Sequence, residues 1–81
     1  MTKEKREEAL LELYDFEVKQ GRAGRAQLTK QGSEDREYFE KVDIMEYWAQ
    51  KGIVKIGGQA SGFTLVELTA YGIDYVENNL L

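Results

Sequence analysis

Whatever chemistry this chain performs has to do without His and Cys, neither of which occurs among its 81 residues. Without them the usual metal-ligand sets and the common nucleophile–base pairs are gone. Carboxylate pairs remain open, since Asp and Glu together number 15, but so short a chain has little room for a deep cleft. No catalytic site, no metal and no cofactor are therefore expected. Recognition is the chemistry to look for.

Recognition depends on where charge falls, and two stretches differ sharply. "SEDREYFEKVDIMEYWAQKG", residues 33–52, holds six acids (Glu34, Asp35, Glu37, Glu40, Asp43, Glu46) against three bases (Arg36, Lys41, Lys51). Just before it, Lys19, Arg22, Arg25 and Lys30 fall within twelve positions that contain no acid. The first stretch would repel phosphates, whereas the second would attract them. Lys3, Lys5 and Arg6 alternate with Glu4, Glu7 and Glu8, the pattern of an ordinary charged helix start. The net charge of −4 argues mildly against a nucleic-acid partner.

These residues need elements to position them. "KEKREEALLELYDFEVKQ", ended by Gly21, reads as a helix with Leu10, Leu13, Tyr14 and Glu17 on one face, the spacing of a 3.6-residue period. Ala9 and Phe16 broaden that face, and Leu11 and Val18 point elsewhere. A helix so apolar in girth either is wrapped by its own domain, the preferred reading, or touches a second copy of the chain. In "GRAGRAQLTKQGS", Gly21, Gly24 and Gly32 mark turns, and "RAQLTKQ" reads as a short helix anchored by Leu28. Ser33 is the expected N-cap of a long helix, with Glu34, Asp35 and Glu37 in its first turn, where carboxylates favour the helix dipole. Gly52, followed by Ile53, is a helix stop. "IVKI" and "FTLVEL" form a hairpin across a flexible "GGQASG" tip. Thr69 then caps a last helix with Ala70, Ile73, Val76 and Leu80 in one stripe and Tyr71 and Tyr75 on the other side.

The run "YWAQKGIV" followed by "ELTAYGIDYVE" is similar to the "LxxxGLI … LTxxGxxYL" pattern of small bacterial winged-helix regulators of the MarR and PadR kind, over about residues 34–79. The resemblance implies an α+β fold, a winged helix over residues 1–81: a three-helix core, a β-hairpin wing and a C-terminal helix. It implies that Trp48, Met45 and Ile44 are buried, which helical geometry supports by placing them on one arc with Tyr38, Val42 and Ala49. Arg36, Glu40, Asp43 and Tyr47 then face outward, with Phe39 and Gln50 beside them. In a DNA-binding relative that surface enters the major groove.

Two functions follow as expectations. In the first the protein is a DNA-binding transcription regulator, or a phage-type accessory factor, with a helix-turn-helix and a dimeric assembly. It touches the backbone of double-stranded DNA through Arg22, Arg25, Lys30 and Lys55 and reads bases weakly through Arg36, Tyr47 and Gln59. In the second it is an interaction module that docks the acidic, aromatic face of Glu40, Asp43 and Tyr47 on a basic protein partner, Tyr47 being the favoured contact. No apolar stretch approaches a membrane span, and a cytoplasmic location is the default reading.

Overall fold

A computed structural model describes residues 1–22, 26–32 and 35–81. The chain runs α1 (Lys3–Tyr14), a π-helical turn (Asp15–Lys19), β1 (Ala26–Thr29), α2 (Arg36–Gln50), β2 (Val54–Ala60), β3 (Phe63–Leu68) and α3 (Ala70–Asn79).

Thr2 opens α1 by accepting the Lys5 N–H on its hydroxyl at 3.2 Å. Ala9, Leu10, Leu13 and Tyr14 are its buried residues, the face that the spacing predicts. The helix then widens. Gln20 N–H reaches back five residues to the Asp15 carbonyl at 3.0 Å, a π-type bond that re-aims the side chains around it. Glu17 turns inward here to 4% exposure, and its Oε2 accepts the Leu68 N–H of β3 at 2.8 Å. Leu11 packs against the core, which accounts for part of the helix's apolar girth, whereas Val18 is exposed.

The expected short helix over "RAQLTKQ" is corrected by the structure: Ala26–Thr29 is strand β1. Ala26 is buried, Gln27 exposed, Leu28 half-buried and Thr29 exposed, so the four residues alternate with period two. Pairing with β3, from Ala26↔Val66 to Thr29↔Phe63, outweighs the helical propensity of Ala and Gln. Strand β1, not a helix, therefore precedes α2, and among the described residues no helix-turn-helix pair forms there.

The cap of α2 also moves. Ser33 and Glu34 lie outside the described residues, and the N-cap is Asp35. Its Oδ1 accepts the Tyr38 N–H at 3.0 Å and its Oδ2 the Gln31 N–H at 2.8 Å. Both bonds favour the charged form, so the Asp35 carboxyl is held below its ordinary value of 3.8. One of the six acids in the stretch is thus there to start a helix.

At its other end α2 closes as expected. Gly52 takes φ +76°, its N–H reaches the Ala49 carbonyl at 3.0 Å, and Ile53 N–H reaches that of Trp48 at 3.0 Å. These are the paired bonds of a Schellman stop, which needs a residue free to adopt a left-handed backbone. β2 follows at once and runs further than "IVKI", through Gln59 opposite Thr64 and Ala60 opposite Phe63. The expected loose "GGQASG" tip is corrected to a two-residue connection, Ser61–Gly62. Gly57 is absorbed as a bulge between Ile56 and Gly58, the extra residue that a glycine accommodates in a ladder.

Thr69 ties the last helix to this stop. Its Oγ1 accepts the Gly72 N–H at 2.9 Å and lies 2.6 Å from the Gly52 carbonyl and 3.1 Å from that of Ile53, to which the hydroxyl can donate. The first turn of α3 lies so close to Ile53 that a Cβ on Gly72 would overlap its carbonyl oxygen. Trp48 is 3% exposed and donates its Nε1–H to the Arg6 carbonyl at 3.0 Å. Val76 is fully buried in the α3 stripe, Ile73 and Leu80 are half-buried, and Ala70 is exposed.

The three strands form one antiparallel sheet in the order β1-β3-β2. Val54, Val66 and Leu68 join Leu10, Ile44, Trp48 and Val76 in one core, while Gln27, Lys55 and Leu65 are exposed on the far side of the sheet. The fold is α+β: three helices against one face of a three-stranded sheet. Among the described residues, no helix is long and apolar enough to cross a membrane.

Candidate functional site

Two surfaces flank α2, and the packing of α1 decides what each presents. The exposed stripe of α2 is Arg36, Phe39, Asp43, Glu46 and Gln50, spaced by three and four. Phe39 is 46% exposed and stands edge-on to Tyr38 at 5.2 Å. Tyr38 is itself held against the sheet by a 2.9 Å hydrogen bond between its hydroxyl and that of the buried Thr64. The aromatic body on this face is therefore set on a fixed base.

The assignment of Glu40 and Tyr47 to the outward face is corrected. Both lie on the flank that α1 covers. Glu40 pairs with Lys5 of α1 at 3.2 Å, and the Arg6 guanidinium sits 4.5 Å from the centre of the Tyr47 ring. Tyr47 also packs edge-on to Trp48 at 5.1 Å. Helical spacing alone places these residues close to Arg36 and Asp43; the position of α1 separates them. What remains outward is acidic, Asp43 and Glu46 against Arg36.

The cations expected at DNA phosphates are not gathered. Lys55 lies opposite Glu67 in the β2–β3 ladder, so an acid stands beside it. Lys30 follows the pair Thr29↔Phe63 at the turn end of the sheet and donates its backbone N–H to Gly62 at 2.7 Å. Lys30 is level with Gly62 and Lys55 with Glu67, five residue steps apart, about 17 Å at strand rise, with two strand spacings across the sheet besides. The Lys30 ammonium rests 5.2 Å from the Phe39 ring. Arg22 is at the other end of β1, its guanidinium 5.8 Å from the Phe16 ring. Gln59 is exposed on β2, and Arg25 lies outside the described residues.

A second surface has no counterpart among the residues expected from sequence. Lys3, Arg6 and Glu7 of α1, Tyr47, Trp48 and Lys51 at the end of α2, Ile53, and Tyr71 and Tyr75 of α3 line a cleft of about 340 Å³. Tyr75 forms its inner wall, tilted on Trp48 at 5.6 Å, and Tyr71 stands 64% exposed at its mouth. The Lys51 ammonium is 5.3 Å from the same Tyr47 ring that Arg6 covers. Lys3 and Arg6 share a helix face at i, i+3, a spacing visible in the sequence. Their meeting with Lys51, 45 residues later, is a product of the fold alone.

No known protein family matches the chain, and neither a curated protein nor a solved structure is similar to it.

Proposed function

We propose that this is a small winged-helix-like interaction module that binds a basic segment of a partner protein on the outward face of α2. The observation that carries the reading is the composition of that face: Asp43 and Glu46 follow a half-exposed Phe39 along the stripe, Arg36 precedes it, and the Lys30 ammonium rests over its ring. An exposed aromatic anchor among charged side chains, with two acids on the rest of its stripe, suits a protein interface. Two acids on a groove-facing helix would instead repel the phosphates that supply most affinity for DNA. The dispersal of Arg22, Lys30 and Lys55 weighs the same way, as does the strand in place of a helix before α2. DNA-binding regulation, the other expectation, keeps only its analogy of element order.

The experiment is an amide-shift titration with a lysine-rich amphipathic peptide as probe. Shifts are expected at Arg36, Phe39, Asp43, Glu46 and Gln50. Asp43→Lys combined with Glu46→Lys should weaken binding by about tenfold or more. Shifts confined to the sheet, or an affinity that the double variant leaves unchanged, would overturn the reading.

A further inference from the structure

We propose that the cleft between α1, the end of α2 and the start of α3 is a second binding site, for a small aromatic anion of the nucleoside-monophosphate class. Three cations of an acidic protein converge on it, Lys3, Arg6 and Lys51, against one acid, Glu7. Neither ion pair found among the described residues, Lys5–Glu40 and Lys41–Glu12, involves these cations. Arg6 and Lys51 both lie within about 5 Å of the Tyr47 ring centre, and both line the same cleft. An anion seated in the cleft within reach of these cations gains charge-assisted hydrogen bonds.

The remaining walls define the rest of the ligand. Tyr71 and Tyr75 are four residues apart on α3, one turn along the same side, and Trp48 closes the floor. A flat ring entering beside Tyr71 stacks on it, the contact by which proteins hold single bases of a strand. An acidic peptide would satisfy the cations and leave these rings unused. At about 340 Å³ the cleft is at the small end of ligand sites, which fits one nucleotide and not a duplex.

The test is calorimetric titration of the full chain with adenosine 5′-monophosphate, adenosine, inorganic phosphate and a glutamate-rich peptide. The monophosphate should bind about tenfold or more tightly than adenosine or phosphate alone. Lys51→Ala and Tyr71→Ala should each weaken it by about tenfold, and both side chains are exposed, so the thermal melt should be unchanged. Tyr71→Phe should retain binding, because the ring and not the hydroxyl is used. Three results would overturn the assignment: no saturation by the monophosphate at about 10 mM, equal affinity in both alanine variants and the parent, or tighter binding of the glutamate peptide, which would give the cleft to an acidic protein segment.

Discussion

The two ends of α2 are joined to the rest of the chain in different ways, and each joint sets one of the two surfaces. Behind the helix, Trp48, Gly52, Ile53, Thr69 and Gly72 interlock within a few ångströms: a Schellman stop, a hydroxyl bridging both sides of the hairpin, and a helix laid directly on backbone. That joint fixes the cationic cleft, since Trp48, Lys51, Ile53, Tyr71 and Tyr75 all come from it. Ahead of the helix, a single carboxylate, Asp35, gathers the turn by accepting two backbone N–H groups. From there the acidic stripe begins at Arg36. A joint built on backbone contact has no slack for an added atom, whereas one built on a side chain can lose it and relax.

Gly72→Ala should expose that difference most strongly. The new Cβ has to displace the Ile53 carbonyl, so a loss of about 3 kcal/mol or more is expected, a fall in melting temperature of about 15 °C for a domain this size. Glu17→Ala comes next, at about 2 kcal/mol, because it strips the buried Leu68 N–H of its carboxyl acceptor. Glu17→Gln should recover part of the loss, and chemical denaturation would measure both. Thr69→Ala should cost about 1–2 kcal/mol, toward the upper end because the hydroxyl serves the helix cap and the Gly52–Ile53 carbonyls together. Asp35→Ala, the corresponding change in the forward joint, should cost less than Thr69→Ala in the same denaturation series. Its effect also has a pH signature. The folded carboxyl titrates below its ordinary value of 3.8, so its stabilisation is present above that value and fades as pH falls through the depressed one. Parent and Asp35→Ala curves should therefore converge in acid. A larger loss for Asp35→Ala than for Thr69→Ala would break the contrast between the joints.

The same contrast explains what could be read from residues alone. The rear joint was legible because its parts are local and chemically distinctive: Gly at a helix stop, Thr before an apolar stripe, Trp one turn before the glycine. The forward region was not. Ser33 and Asp35 are both capable caps two positions apart, and the choice depends on the backbone of Gln31 arriving at the right oxygen. "RAQLTKQ" offers one large apolar residue, too few to separate a helical period from a strand period, and β1 is decided by its partner β3 from more than thirty residues away. The outward face of α2 was half legible. Asp43, Arg36, Phe39 and Gln50 follow from spacing, while Glu40 and Tyr47 turn on where α1 lies. Nothing local announced the cleft, whose cations come from residues 3, 6 and 51.

On the proposed reading, the acidic face of α2 belongs to a protein partner and not to a DNA groove. Anisotropy of a labelled mixed-sequence duplex, titrated with the full chain at about 50 and 200 mM salt, tests it most directly. Flat traces are expected at both salts, with binding appearing in low salt only when Asp43 and Glu46 are exchanged for Lys. Tight binding by the parent in low salt, falling steeply at the higher salt and abolished by Arg22→Glu with Arg25→Glu, would contradict it.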